Sequence, residues 1–163
     1  MVTNRMQEFR VEAGKHGLCA KYAELWDKAK TIEELQGLAL DMQGLEFIAK
    51  AYAEGWGMPL EYVRAIFPDI VTGKAVGKHE DYSTQIFFER EENVMAEEDA
   101  ILLVNCKCAV VIGDNDVKTI MVSGDSDVTV INDNGYCNIC IYGSGSKVRH
   151  SGCGDFHERK ILN

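Results

Sequence analysis

The sequence lacks any apolar run that approaches the roughly 20 residues needed to span a membrane. Its opening, MVTNRMQEFR, has no basic segment followed by an apolar stretch, so no secretory signal is expected. Cations are scarce, since 17 lysines and arginines face 26 aspartates and glutamates and leave a net charge of −9. Because an acidic surface repels phosphate backbones, we expect a cytoplasmic protein that binds neither membranes nor nucleic acid directly.

Recognisable catalytic motifs are also missing. The chain has no Gly-x-Ser-x-Gly, no phosphate-binding glycine loop before a helix and no His-Glu-x-x-His. Asp114–Asp116 and Asp125–Asp127 lack the further oxygen ligands of an EF-hand, so we interpret them as turn residues. A dyad of Cys153 with His157 or His150 is the nearest approach to a nucleophile. We therefore expect a protein without enzymatic activity and without a cofactor.

The six cysteines are expected to be free thiols, since the cytosol keeps thiols reduced. Most should be small buried side chains. Cys106 and Cys108 would share one strand face and could chelate zinc, which makes a zinc-binding structural protein an alternative. Cys137 and Cys140 would point to opposite faces of a strand and could not share a metal.

The carboxyl-terminal third contains one strand-and-turn unit repeated almost three times. CAVVIGDNDVKTIMVSGDS (Cys108–Ser126) is followed by DVTVINDNGYCNICIYGSGS (Asp127–Ser146) and by a shorter copy (Lys147–Asn163). A period of about 20 residues with two short strands per unit is typical of a stacked β architecture. Each unit cannot bury its apolar face alone, whereas stacked neighbours form a continuous core.

An alignment with one residue inserted at the turn equates Val111 with Val130 and Ala109 with Val128. A degenerate copy begins upstream near Gln85, which gives about four units. A β-solenoid is the favoured fold for this region, and a meander or sandwich of hairpins is the alternative. Self-association through the exposed ends of the solenoid is a further expectation.

The amino-terminal part carries apolar side chains at helical spacing in four short segments. Thr31 followed by Glu34 is a capping-box signature at the start of one of them. Residues 31–54 have the spacing of a DNA-reading helix-turn-helix, but the second helix would turn Glu46 and Glu54 towards phosphates. A small helical bundle without a DNA-binding role is therefore predicted.

A polar joint follows the helices. It contains a candidate strand with Ile86 and Phe88 on one face and Phe87 on the other. The most acidic stretch of the chain comes next, and we interpret it either as a solvated loop or as a contact surface for a cationic partner. The candidate partner-binding residues are Glu89, Glu91, Glu92, Glu97, Glu98 and Asp99.

The segment GLCAKYAELWDKAKTIEELQGLALDMQGLEFIAKAYAEGWGMPLEYV (Gly17–Val63) precedes a Gly-Lys linker and a glycine-punctuated β tail. In this segment and order, the chain resembles a group of small uncharacterised proteins carried on phages and integrative elements of gut bacteria. The resemblance implies an accessory protein of a mobile genetic element, with the blocking of host defence as one candidate role. It brings no catalytic residues.

Together these patterns predict an α+β protein with a helical bundle (residues 1–73), a linker and acidic joint (74–100) and a β-repeat domain (101–163). The expected function is non-enzymatic binding of a protein partner through the β-repeat face or the acidic loop. One alternative is an anti-CRISPR-like inhibitor of a host defence nuclease that mimics nucleic acid. Its mark would be the acidic residues of 89–99 and the turn aspartates lying on one contiguous face.

Overall fold

The computed structural model describes residues 4–161, in which six helices precede ten strands. The helices are α1 (Asn4–Lys15), α2 (Ala20–Lys28), α3 (Ile32–Ala39), α4 (Met42–Glu54), α5 (Leu60–Ile66) and α6 (Pro68–Val71). The strands are β1 (Val76–Lys78), β2 (Ser83–Phe88), β3 (Val94–Met95), β4 (Ala100–Val104), β5 (Lys107–Val111), β6 (Val117–Ser123), β7 (Asp127–Ile131), β8 (Tyr136–Tyr142), β9 (Lys147–Ser151) and β10 (Asp155–Ile161).

Side-chain caps mark the starts of α3 and α4, and a glycine marks the end of α4. The Thr31 hydroxyl accepts a hydrogen bond from the Glu34 backbone N–H at 3.2 Å, as the capping-box signature predicts. The Glu34 carboxylate returns to the backbone N–H of Lys30, one residue before the position that the signature implies. Asp41 caps α4 by accepting from the Gln43 N–H at 3.0 Å, and Gly55 ends that helix with a φ of 86°.

The strands form two sheets that wind into a β-solenoid of about four turns, which confirms the predicted fold class. Sheet A has the order β1-β2-β4-β6-β8-β10 and sheet B the order β3-β5-β7-β9. All pairs are parallel except β1 with β2. We call the turns from sheet A to sheet B the first corner (residues 89–93, 105–106, 124–126 and 143–146). The turns from sheet B to sheet A are the second corner (96–99, 112–116, 132–135 and 152–154).

The predicted alignment of the first repeat was wrong by one residue. Val130 pairs with Val110, and Val111 pairs with Ile131. Val110 is fully buried in the solenoid whereas Val111 is partly exposed, because a slip of one residue moves a side chain to the other face of a strand. The run from Ala109 to Ile112 is apolar throughout, so it lacks the alternation that would have determined the register.

Sheet A has a hydrophobic layer on each face. Ile101, Leu103 and their neighbours along the rungs form the interior between the two sheets. Leu102 and Val104 point the other way and pack beneath the helices. The helix α4 lies over β4, β6 and β8, and the Ser123 hydroxyl donates a hydrogen bond to the Ala49 carbonyl. Sheet A therefore contributes side chains both to the solenoid interior and to the core beneath the helices.

The solenoid begins upstream of residue 101. Within residues 74–100, β2 pairs in parallel with β4, as the degenerate copy near Gln85 predicts. Ile86 and Phe88 face the helices and Phe87 faces the interior, which confirms the predicted alternation. The apolar side chains of β2 make it the first rung of sheet A, and β1 covers its outer edge.

The other end of the solenoid finishes with β9 and β10 as edge strands. Charged side chains such as Arg149, Glu158 and Lys160 are exposed there, a composition that disfavours edge pairing. Within residues 4–161, no helix combines the length and apolar content that crossing a membrane requires.

Candidate functional site

The predicted partner-binding residues lie at two separate places. Glu89, Glu91 and Glu92 belong to the first corner, and residues 97–99 belong to the second. The two corners are at opposite ends of strands of five residues, which places them about 16 Å apart. The acidic stretch is therefore not one surface.

The predicted partner-binding carboxylates of the first corner belong to a single rung. Glu89 forms an ion pair with Arg64 of α5, which ties this turn to the helices. Glu91 and Glu92 are exposed in the same turn. A later first-corner turn, residues 124–126, adds Asp125, whose backbone N–H is bonded to the Asn105 side chain at 2.8 Å. This corner is acidic in its first rung and becomes more neutral along the solenoid.

The second corner carries carboxylates in its first three turns, and Asp155 follows the fourth turn at the start of β10. We call this column the acidic edge. Backbone bonds tie the rungs together there, from Thr119 N to Asp99 O at 2.9 Å and from Tyr136 N to Asp116 O at 2.8 Å. Successive rungs of a parallel sheet lie about 4.8 Å apart, so the side chains form a column. The acidic edge consists of Glu97, Glu98, Asp99, Asp114, Asp116, Asp133 and Asp155.

Cations neutralise little of the acidic edge. Lys118 is 92% covered, since its relative exposure is only 8%, and its amine donates to the Glu97 carbonyl at 3.1 Å. Lys78 pairs with Glu98 at 3.3 Å. Glu97, Asp114 and Asp133 remain exposed, so the outer surface of the edge is negative.

Two apolar ladders flank the acidic edge. Val117 and Tyr136 pair in register on the outer face of sheet A and are 64% and 41% exposed. On sheet B, Met95 is 53% exposed and continues through Val111 to Ile131. Of the five large hydrophobic side chains that are exposed in residues 6–161, three border this edge. Such clustering of apolar side chains with a charged rim is typical of a protein interface.

Sequence reasoning missed Met95, Val117 and Tyr136. Alternation along β6 places Val117 on the face opposite buried Lys118 and Ile120, but that face is covered elsewhere by the helices. The exposure of Val117 depends on where the helical layer stops. The acidic residues themselves could be found from composition, whereas their stacking into a column needs the rung register.

The two cysteines predicted as candidate zinc ligands are Cys106, in the first corner, and Cys108, in β5. The Cys106 sulfur accepts from the Arg90 N–H at 3.4 Å and donates to the Phe87 carbonyl at 3.4 Å. Burial raises the pKa of the Cys106 thiol to about 12, and burial also raises the pKa of half-buried Cys108. In the described part of the chain, no three histidine, cysteine or acidic side chains lie close enough to hold a metal ion. The pair offers two of the four ligands of a structural zinc site.

The residues of the other candidate dyad are already engaged or exposed. His150 stacks on Phe156 at 4.4 Å and is bonded to Glu158 at 3.0 Å. Cys153 is exposed in the last turn of the second corner, and His157 is exposed on β10. His150 thus has a structural role in covering the end of the solenoid.

Comparisons with protein-family models, curated proteins and solved structures give no match for this chain. A function must therefore be argued from the chemistry of the site. The acidic edge combines stacked carboxylates with exposed aliphatic, thioether and aromatic side chains. This combination suits recognition of another protein.

Proposed function

We propose that the chain is a non-enzymatic binding protein that docks a cationic, partly apolar segment of another protein on the acidic edge. The observation that carries the proposal is the exposure of Met95, Val117 and Tyr136 beside the carboxylate column. An acidic loop that only contacts water gains nothing from exposed apolar side chains beside it, whereas an interface does. Carboxylates steer a basic partner towards the surface, and the apolar side chains supply the contact that is desolvated on binding.

We further propose that the protein acts in the cytoplasm of its producing cell as an accessory of a phage or other mobile genetic element. The resemblance of Gly17–Val63 to proteins of such elements supports the origin. All six cysteines are free, which supports a reducing compartment.

Capture of the partner tests the apolar part of the site. The tagged chain would be crosslinked in the producing cell, the partner identified by mass spectrometry and its affinity then measured with both proteins purified. The double variant Val117→Ser, Tyr136→Ser should lose most of the binding. The matched control Val11→Ser, Leu25→Ser removes two exposed apolar side chains from the helices and should bind normally. Equal binding by both variants would refute the proposed edge.

A second pair of variants tests the charges. Glu97→Gln, Asp114→Asn and Asp133→Asn together should weaken binding roughly tenfold and flatten its dependence on salt. The control Glu91→Gln, Glu92→Gln and Asp125→Asn removes the same number of charges at the first corner and should change affinity little. If the first-corner variant weakened binding and the acidic-edge variant did not, the binding site would lie at the first corner instead.

An acidic mimic of nucleic acid that inhibits a host defence nuclease is the second candidate function. Its predicted mark, one contiguous acidic face, is met only in part, because Glu89, Glu91 and Glu92 lie at the first corner. The feature in its favour is the regular column of carboxylates, with one or more acidic side chains in each of four successive second-corner turns or at the residue that follows. Such an inhibitor would compete with the nuclease's duplex and lose binding steeply at high salt. It would tolerate Val117→Ser and Tyr136→Ser, which separates it from the first proposal.

A further inference from the structure

A second feature of the molecule lies away from the acidic edge. A cavity of about 560 Å³ opens between the helices and the first-corner end of sheet A. This volume falls within the range of roughly 300–1,000 Å³ that is usual for small-molecule sites. Its walls are mainly apolar and include Phe9, Leu38, Phe47, Met58 and Ile161.

The wall formed by α2 is incompletely packed. The helix has an apolar stripe, yet none of its nine residues is fully buried. Trp26 contacts Phe9 with ring centroids 6.0 Å apart, and both rings line the cavity. An occupant of the cavity would complete the apolar packing that α2 lacks.

The indole N–H groups of the two tryptophans have different surroundings. The Trp26 Nε1 atom is buried and has no hydrogen-bond acceptor in the part of the chain that the structure describes. Because this atom has almost no accessible surface, a molecule in the cavity cannot reach it, and Trp26 lines the cavity through other atoms of its side chain. The other tryptophan differs, because Trp56 Nε1 donates to the Glu54 carboxylate at 2.6 Å.

Cations on the lining indicate the charge that a ligand of this cavity would carry. Lys50 and Arg159 both line the cavity, and neither forms an ion pair within residues 4–161. The Arg159 guanidinium instead contacts the Cys140 sulfur at 3.7 Å. Glu46 is the acidic residue among the lining side chains, so the positive charges outnumber it.

We propose that this cavity binds a single-chain amphiphile with one carboxylate, of the fatty-acid class. The apolar walls would enclose the alkyl chain, and the carboxylate would pair with Lys50 and Arg159 at the lining. This site is independent of the proposed function, because its residues on sheet A belong to the end of the strands opposite the acidic edge.

Titration of the full-length chain with dodecanoic acid, below its micelle concentration, tests the proposal. The two indole N–H resonances are followed by ¹⁵N-resolved NMR while calorimetry measures the stoichiometry. We expect one equivalent to bind and the Trp26 resonance to move with saturation, whereas that of Trp56 stays close to its position. The absence of binding, or a shift of both signals that does not saturate, would overturn the proposal.

Matched ligands and variants distinguish the contribution of the ligand's alkyl chain to the affinity from that of its carboxylate. Dodecanol should bind more weakly than the acid, and equal affinity would refute the carboxylate assignment. Lys50→Gln with Arg159→Gln should weaken dodecanoic acid binding roughly five- to tenfold. Lys74→Gln with Lys160→Gln removes two exposed cations outside the lining and should leave binding unchanged. Equal affinities of these two double variants would also overturn the assignment.

Discussion

At the scale of single residues, the solenoid depends on polar side chains buried at its corners. Asn132 is fully buried, and its amide donates to the Gly135 carbonyl at 3.1 Å and to the Asp155 carbonyl at 3.0 Å. Its carbonyl oxygen accepts from the Gly135 N–H at 2.8 Å. One side chain thus closes its own turn and ties that turn to the next rung.

The variant Asn132→Asp should destabilise the protein by roughly 2–4 kcal/mol at neutral pH. The new carboxylate would be buried, could not donate to the two carbonyls and would lie among the acids of the edge. Burial raises the pKa of such a carboxyl, because the folded protein favours its neutral form. The loss in free energy of unfolding relative to the wild type should therefore grow as the pH rises from about 4 to 7. Urea unfolding followed by circular dichroism measures the change.

Asn134→Asp is the matched control. The Asn134 side chain is exposed and only accepts, from the Asn115 N–H at 3.0 Å, a role that a carboxylate can keep. Its effect should stay within about 0.5 kcal/mol. Similar losses for both variants would show that added charge, rather than the lost donors, explains the result.

At the scale of elements, α3 and α4 come into close backbone contact across the tight turn that joins them. Gly44, in the first turn of α4, lies against the carbonyl oxygens of Leu38 and Ala39 at the end of α3. A Cβ at this position would be 2.7 Å from the Ala39 oxygen and closer still to that of Leu38. The close approach of the two helices therefore requires glycine here.

We expect Gly44→Ala to destabilise the protein by about 1–3 kcal/mol, because two backbone carbonyls would have to move. Gly37→Ala is the control in the neighbouring helix α3, where a Cβ would have nothing within 4 Å. Since glycine inside a helix costs about 0.5–1 kcal/mol relative to alanine, this control should stabilise the chain. Thermal and urea unfolding of the two variants should shift in opposite directions, and shifts of the same sign would contradict the proposed contact.

At the scale of the whole molecule, sheet A joins two cores. Its inner side chains pack between the sheets and its outer side chains pack beneath the helices. Neither layer can be exposed without affecting the strands that carry both. The helical part and the solenoid should therefore unfold together.

Leu103→Ala tests this coupling, because Leu103 is fully buried in the solenoid interior and faces away from the helices. The loss should be about 2–5 kcal/mol. Fluorescence of Trp26 and Trp56 reports on the helices and circular dichroism on the helices and strands together, so a single transition at the same midpoint by both probes is expected in the wild type and in the variant. Leu25→Ala on the exposed face of α2 should change stability little. A fluorescence transition left unmoved by Leu103→Ala would indicate two independent units.

Much of the fold could be predicted because it is encoded locally. The repeat of about 20 residues, the alternation at Ile86, Phe87 and Phe88 and the Thr31 cap each depend on neighbours in the chain or in the adjacent rung. Register was predictable only where side chains alternate in polarity. It failed at the apolar run that contains Val110 and Val111.

Local sequence patterns were enough to predict that the carboxyl-terminal part stacks its strands and that acidic residues occupy its turns. The three-dimensional fold decides which of these acids lie together, since Glu92 and Glu97, five residues apart, fall at opposite corners while distant Glu97 and Asp133 share one. It also decided that Val117 and Tyr136 stay exposed and that a cavity remains beside Trp26. Surfaces and cavities depend on where one layer stops covering another, and that boundary is set by packing between segments far apart in the chain.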